Sequence, residues 1–248
     1  MSEFWKGEES VPPAVEVQGV SKTYVGGDGR PLQVLDGVDL EVRSGQSVAI
    51  VGQSGVGKST LLHLIGGLDR PTSGHVRLAG RPLHEQGEAG LARLRNQEVG
   101  FVFQFHHLLR EFTALENVMM PLLIAGEGER LAKQRALAVL TEVGLVPRAS
   151  HKPAELSGGE QQRVAVARAL VTEPRVILAD EPSGNLDPET AERLHDLFFR
   201  VSGAHRAAII LVTHNRELSR RADRTLCLES GRLHDATARP ADPVSVSL

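Results

Sequence analysis

The sequence has one cysteine, Cys227, so no internal disulfide can form and a reducing compartment suits it. Cys227 lies in the alternating stretch Thr225-Leu226-Cys227-Leu228. A small buried hydrophobe is the role expected there, and no placed base would make it a nucleophile. Long apolar runs are also missing. The longest, around residues 118–125 and 207–212, fall short of the ~18–20 residues that cross a bilayer. Residues 1–14 carry Lys6, Glu8 and Glu9 and no apolar block, so they are not expected to act as a signal peptide. There is no excess of basic charge: 28 Lys and Arg stand against 31 Asp and Glu, a net charge of −3. A nucleic-acid partner is therefore not expected. Local pairs such as Arg220 and Arg221 read as a solvated helix face. No internal repeat is evident. These absences leave a cytosolic chain that serves a membrane, if at all, through partners.

What is present suffices for one large domain. The chain has 248 residues, of which 41% are hydrophobic. Residues 15–20 and 34–42 alternate apolar and polar, as half-exposed antiparallel strands do. The turn cluster Gly26-Gly27-Asp28-Gly29 separates them. Short continuous apolar runs follow at 48–51, 99–103, 176–179 and 209–212, the pattern of parallel strands buried on both faces. Helical patterns lie between them: 58–68, stopped by Pro71; 129–143, stopped by Gly144; 158–171, stopped before Pro174; and one opening at Asp187 with Pro188 in its first turn. The expected fold class is α/β: a mostly parallel core sheet, an antiparallel β subdomain and an inserted helical subdomain. The domain is expected over 15–235, with its helical part at about 105–165. Tails at 1–14 and 236–248 are expected to be flexible.

The segment Gly52-Gln53-Ser54-Gly55-Val56-Gly57-Lys58-Ser59 fits the P-loop pattern in full, with a strand before it and a helix after it. Such a loop curls so that backbone N–H groups point at a phosphate, and the helix adds its positive dipole end. Gly52, Ser54, Gly55, Gly57, Lys58, Ser59 and Thr60 are the candidate phosphate-binding residues. Lys58 supplies charge to the β- and γ-phosphates. The Ser59 hydroxyl is a hard-oxygen ligand for Mg²⁺. A ligand-free Gly-rich turn is the bland alternative, and it does not account for Lys and Ser at these two positions. A P-loop means a nucleotide without naming the reaction.

The run Val176-Ile177-Leu178-Ala179-Asp180-Glu181 ends an apolar strand in two carboxylates. Asp180 is a candidate metal residue. Strand alternation sends Glu181 to the opposite side, where it can poise a water for attack on a phosphate. Farther back, Leu156-Ser157-Gly158-Gly159-Glu160 opens a helix. Ser157 and Glu160 form a capping box, which by itself needs no ligand. Two glycines in a first turn are poor helix formers, and they make sense where something approaches the backbone closely. Ser157, Gly158 and Gly159 are thus a second candidate phosphate site.

With two such sites the sequence resembles the ABC ATPase superfamily, whose signature is L-S-G-G followed by a polar residue. The resemblance covers about residues 15–235. It implies ATP and Mg²⁺ as cofactors and a head-to-tail dimer of two copies, with each signature helix facing the other copy's P-loop. It also implies roles for further residues. Tyr24 stacks on adenine. Gln104 contacts magnesium and water and is both a metal and a catalytic candidate. Ser183-Gly184-Asn185-Leu186-Asp187 crosses the dimer interface, and Asp187 doubles as a helix cap. His214 contacts the γ-phosphate and joins Glu181 and Lys58 in the catalytic set. Ser183 and Asn215 depart from the commoner threonine and aspartate without removing a catalytic group.

Within that superfamily, Phe103-Gln104-Phe105-His106-His107-Leu108-Leu109-Arg110-Glu111-Phe112-Thr113-Ala114-Leu115-Glu116-Asn117-Val118 resembles the lipoprotein-releasing (LolD-like) branch. That branch implies two transmembrane subunits as partners, a peripheral place on the cytoplasmic face of an inner membrane, and release of acylated lipoproteins. Macrolide-exporter and cell-division ATPases are the neighbouring alternatives. Phe105, Leu108, Leu109 and Phe112 are candidates to line a groove for the membrane partner, or else are core of the helical part. His106 and His107 are adjacent and lack a ligand set, so no metal site is expected there. A non-transport ATPase acting on DNA or ribosomes would need basic patches or long insertions that are missing. A binding-only regulatory subunit would not need Lys58, Asp180, Glu181 and His214 together.

Overall fold

The computed structural model describes residues 12–27 and 29–236. Most of the two expected tails, and Asp28 of the turn cluster, lie outside the described residues. In chain order the elements are β1 (Val15–Val25), β2 (Pro31–Val42), β3 (Ser47–Val51), α1 (Lys58–Ile65), β4 (Ser73–Leu78), β5 (Arg81–Pro82), α2 (Glu88–Glu98), β6 (Val99–Phe103), α3 (Ala114–Ile124), α4 (Glu129–Glu142), α5 (Gly158–Leu170), β7 (Val176–Asp180), α6 (Pro188–Ala204), β8 (Ala208–Val212), α7 (Arg216–Arg220), β9 (Arg224–Glu229) and β10 (Arg232–Asp235).

They make two sheets. Strands β2-β1-β4-β5 form an antiparallel sheet, and β10-β9-β3-β8-β7-β6 form a second one that is parallel except for β10. The parallel strands are apolar throughout because both faces are covered. Along β7, Val176 and Leu178 join one core with β1, β4 and α1, while Ile177 and Ala179 join the other with α3, α4 and α5. Along β8 the same division holds: Ala208 and Ile210 on one side, Ile209 and Leu211 on the other. This period of two is what strand geometry demands.

Several boundaries differ from the sequence expectation. Helix α1 stops at Ile65, well before Pro71. Gly67 turns left-handed (φ 64°), Gly67 N–H donates to Leu64 O (3.2 Å) and Leu68 N–H to His63 O (2.8 Å). That pair of bonds closes the helix, and proline is not needed. Strands β1 and β2 run longer than expected because register shifts between Val17 and Thr23 break the alternation without breaking the pairing. Cys227 is half-buried, not buried. It sits on β9 between Val51 of β3 and His234 of the outermost strand, where one face is only partly covered. Among the described residues no helix is long and apolar enough to cross a membrane.

Helices α3, α4 and α5 pack on one another. Thr113 and Glu116 form a reciprocal capping box that starts α3: Glu116 N–H donates to Thr113 Oγ1 (3.2 Å) and Thr113 N–H to Glu116 Oε2 (2.8 Å). Asn117, fully buried, staples the preceding loop to this helix. Its Oδ1 accepts from Leu109 N–H (2.8 Å), and its Nδ2 donates to the carbonyls of Leu109, Phe112 and Thr113 (3.1, 3.1 and 3.0 Å). Arg168 of α5 holds the same loop farther back, donating to His106 O (2.9 Å) and His107 O (2.8 Å).

Asn117→Ala is expected to lower stability by about 1–3 kcal/mol, since Leu109 N–H and Phe112 O lose the side chain as partner while Leu109 O and Thr113 O keep backbone donors. Urea unfolding of the variant measures this; a loss within ~0.5 kcal/mol would mean the loop is held by other contacts.

Candidate active site

The site starts where β3 runs out. Gly57 adopts φ 108°, and a Cβ there would lie 2.7 Å from Val34 Cγ1, so only glycine fits. This turn lets α1 begin at Lys58 with no side chain capping it, and its first N–H groups stay available to an anion. Lys58 is buried at 9% exposure. Its Nζ donates to Gly52 O (2.9 Å) and Gln53 O (2.8 Å). An ammonium has three donors, so the loop carbonyls fix the side chain without exhausting it.

Parallel pairing then brings the other strand ends beside the loop. A cleft of about 420 Å³ is lined by Ser54, Gly55, Gly57, Lys58, Ser59, Thr60, Gln104, Asp180, Glu181, Val212 and His214. Ten of these eleven are expected site residues; Val212 is the addition. Ser59, Gln104 and Asp180 bring a hydroxyl, an amide and a carboxylate to one cavity, the oxygen donors that a hard divalent cation takes.

Glu181 reaches this cleft by a route that strand alternation does not foresee. Alternation would point it away from Asp180. Instead it takes the left-handed conformation (φ 46°) just past the end of β7, and its N–H still donates to Val212 O (2.9 Å). Such a backbone costs a side-chain-bearing residue on the order of 1–3 kcal/mol. The carboxylate holds it in place. Oε2 accepts from Thr213 Oγ1 (3.1 Å), and Oε1 accepts from His214 N–H (2.9 Å) and His214 Nδ1–H (2.7 Å). The ring is 76% exposed on its side chain and the carboxylate 16%. Thr213 was not among the expected residues. Its signal is a buried polar side chain closing an apolar strand.

A second polar latch joins two loops. Gln104 Nε2 donates to Asn185 Oδ1 (3.0 Å), and Asn185 Nδ2 donates to Gln104 O (3.2 Å). Ser183 Oγ lies 2.7 Å from Nε2 of His195, a buried histidine of α6. Burial pushes the His195 imidazole below its ordinary value, and the nearby Glu192 only partly opposes this. Asp187 caps α6 by accepting from Thr190 N–H (3.0 Å), and that bond holds its carboxyl below the usual range. The two departures are absorbed by structure. Ser183 keeps a hydroxyl for His195, and Asn215 Oδ1 caps α7 by accepting from Glu217 and Leu218 N–H (2.8 and 3.1 Å).

Ser157, Gly158, Gly159, Tyr24, Asp187 and Gly52 are not among the cleft's lining residues. Ser157 and Glu160 do form the expected capping box at α5. Glu160 Oε2 accepts from Ser157 N–H (2.8 Å), which holds that carboxyl below its usual range, and Arg148 Nε donates to Oε1 (3.0 Å). The two glycines differ. A Cβ on Gly159 would lie 2.5 Å from Thr190 Cγ2, so packing within the chain accounts for it. A Cβ on Gly158 would meet only Leu186 Cδ2 at 3.5 Å, an ordinary contact. Of the four apolar groove candidates, Phe105 (65% exposed), Leu109 and Phe112 are exposed, while Leu108 packs against the core.

Residues 35–184 match the family model described as ABC transporter. The chain is 55% identical over 221 residues, 89% of this chain and 90% of the relative, to the lipoprotein-releasing system ATP-binding protein LolD of Xanthomonas axonopodis pv. citri. It is 54% identical to the protein of that name from Geobacter metallireducens, over 88% of this chain and 97% of the relative. Among solved structures it resembles the ATP-binding cassette MJ0796 in a dimeric post-hydrolysis state bound to ADP and Pi. The TM-score is 0.81 at 37% identity, over 89% of this chain and 98% of that one. With the P-loop cleft, the strand-end carboxylates and these matches in agreement, the chain belongs to the ABC transporter family.

Proposed function

We propose that this chain is the ATP-hydrolysing subunit of a lipoprotein-releasing transporter, working as a pair against two transmembrane subunits on the cytoplasmic face of an inner membrane. The observation that carries the ATPase reading is the cleft itself, in which the P-loop, Gln104, Asp180, Glu181 and His214 converge. The lipoprotein cargo rests on the relatives, which carry that name at 52–55% identity.

Lys58 and the first N–H groups of α1 bind the β- and γ-phosphates. Ser59, Asp180 and Gln104 hold Mg²⁺, whose charge offsets the phosphate oxygens when it is bound. Among the described residues no group of three or more His, Cys, Asp or Glu is arranged to hold a metal ion by itself. This suits an ion that takes most of its oxygens from phosphate and water. Glu181 accepts the proton of the attacking water. His214 orients Glu181 through Nδ1 and faces the γ-phosphate from the end of β8. Tyr24 stacks on the adenine.

The signature residues Ser157 and Gly158 serve the other copy. They do not line their own chain's cleft, and packing within the chain does not require glycine at 158, where a Cβ would meet nothing closer than Leu186 Cδ2 at 3.5 Å. Asp187 sits at that dimer face. The exposed Phe105, Leu109 and Phe112 offer an apolar docking surface for a cytoplasmic helix of the membrane subunits.

Three measurements test this reading. Glu181→Gln is expected to cut kcat by about 10²–10⁴-fold while retaining ATP in a stable dimer, read by phosphate release and size-exclusion chromatography. Near-wild-type turnover would remove Glu181 from the role. Gly158→Ala is expected to unfold like the wild type yet lose at least about tenfold in turnover; unchanged turnover would place the signature helix outside the site. The Glu181→Gln protein, captured from native membranes in mild detergent, is expected to bring two related multi-span proteins and acylated lipoproteins. An exporter-type or division-type membrane protein in their place would move the cargo assignment, and no membrane protein at all would overturn the transport reading.

A further inference from the structure

Two charged residues near the P-loop have no part in the chemistry above. Lys22 and Tyr24 are two apart on β1 and so share one side of the strand. Lys22 is buried at 9% exposure. Its Nζ donates to Asp69 Oδ1 (2.8 Å) and to Arg70 O (2.7 Å), and lies 4.7 Å from the centroid of the Tyr24 ring. The other carboxylate oxygen of Asp69 accepts from Tyr24 Oη (2.8 Å). Asp69 belongs to the turn that closes α1, and its own N–H donates back to His63 O (3.3 Å).

We propose that Lys22 and Asp69 are positioning residues for the nucleobase. They fix the Tyr24 ring relative to the P-loop helix, with the Lys22 ammonium on one face and the other face left for a purine. This inference rests on the reading of Tyr24 as the base-stacking residue. A ring can stack on a base through either face. A cation held against one face by two strong acceptors leaves only the other. Anchoring the phenol to the turn that closes α1 sets the position of the ring relative to that helix and the loop before it. The base then meets a ring already in place, and the entropy of ordering it has been spent in folding. The titration behaviour agrees with a fixed cluster. Burial and the bond to Asp69 raise the Tyr24 phenol. Burial also pushes the Asp69 carboxyl up, but bonds from Lys22 and Tyr24 outweigh it and hold the group below its usual range.

The test is nucleotide affinity by calorimetry on the full chain, with Mg-ATP and with inorganic tripolyphosphate as a probe that lacks a base. Lys22→Met and Asp69→Asn are each expected to weaken ATP binding about threefold to tenfold, to raise KM far more than they lower kcat, and to leave tripolyphosphate affinity unchanged. Lys22→Arg keeps the charge and is expected to recover most of the loss. In a Tyr24→Ala background, Lys22→Met is expected to add nothing. If Tyr24→Ala leaves ATP affinity unchanged, the stacking reading falls and this inference with it. If Tyr24→Ala weakens ATP but Lys22→Met and Asp69→Asn do not, the stacking reading stands and this inference alone is overturned. Equal losses for ATP and tripolyphosphate would likewise overturn it, by showing damage to the P-loop.

Discussion

Parallel pairing of β3, β8, β7 and β6 is the constraint on which the site depends. Parallel strands bury both faces, so none of them can be displaced without opening two cores at once. They also end at one edge. The P-loop follows β3, Gln104 follows β6, Asp180 ends β7 with Glu181 just past it, and Thr213 and His214 follow β8. Four segments far apart in sequence thereby open on a single cleft, and their spacing is set by a hydrogen-bonded ladder and not by loop flexibility. The polar chemistry is placed by an apolar structure.

Within that frame the site is held ready by hydrogen bonds that cross between loops. Glu181 occupies a backbone region unfavourable for its side chain, and three donors from the β8 end hold its carboxylate there. The Gln104–Asn185 pair joins the loop after β6 to the loop before α6. Movement of the segment carrying Phe105 and Leu109 therefore cannot be independent of the segment carrying Asp187. On the proposed reading, docking on the exposed apolar surface and contact across the dimer face share one pair of amides.

Much of this was legible in the sequence, for reasons that differ by residue. The P-loop was legible because phosphate binding by backbone leaves a dense local pattern of Gly, Lys and Ser. The β7 carboxylates were legible because an apolar run ending in Asp180 and Glu181 marks a strand end. Their common side was not, since alternation describes strands and Glu181 lies just past one in a left-handed turn. The end of α1 was misplaced because Pro71 is a conspicuous stop, whereas the Gly67 turn acts earlier through two backbone bonds. Contacts such as Lys22 with Asp69, or Ser47 with Asp223, span 47 and 176 residues and leave no periodic trace. The segment most specific for the branch, residues 103–118, also has plain structural work: Thr113 and Glu116 cap α3 and Asn117 staples the loop. Part of that resemblance reflects a loop that must be held in one shape.

The two signature glycines show how packing and function can be separated in one motif. Both are costly in a helical first turn. Gly159 is explained within the chain, because α6 packs where its side chain would be. Gly158 is not, because space remains there for a methyl group. A helix that needed only its capping box would have no use for glycine at that position. Its N-terminus does not line the cleft of its own chain, and on the proposed reading the group it serves comes from a second copy. On that reading a second copy would bring the phosphate that Lys58 and the start of α1 are proposed to hold. The solved relatives described as dimeric are of the same fold, and a pair related by symmetry would satisfy both empty requirements at once: each cleft would gain a second helix N-terminus, and each signature helix would gain an anion.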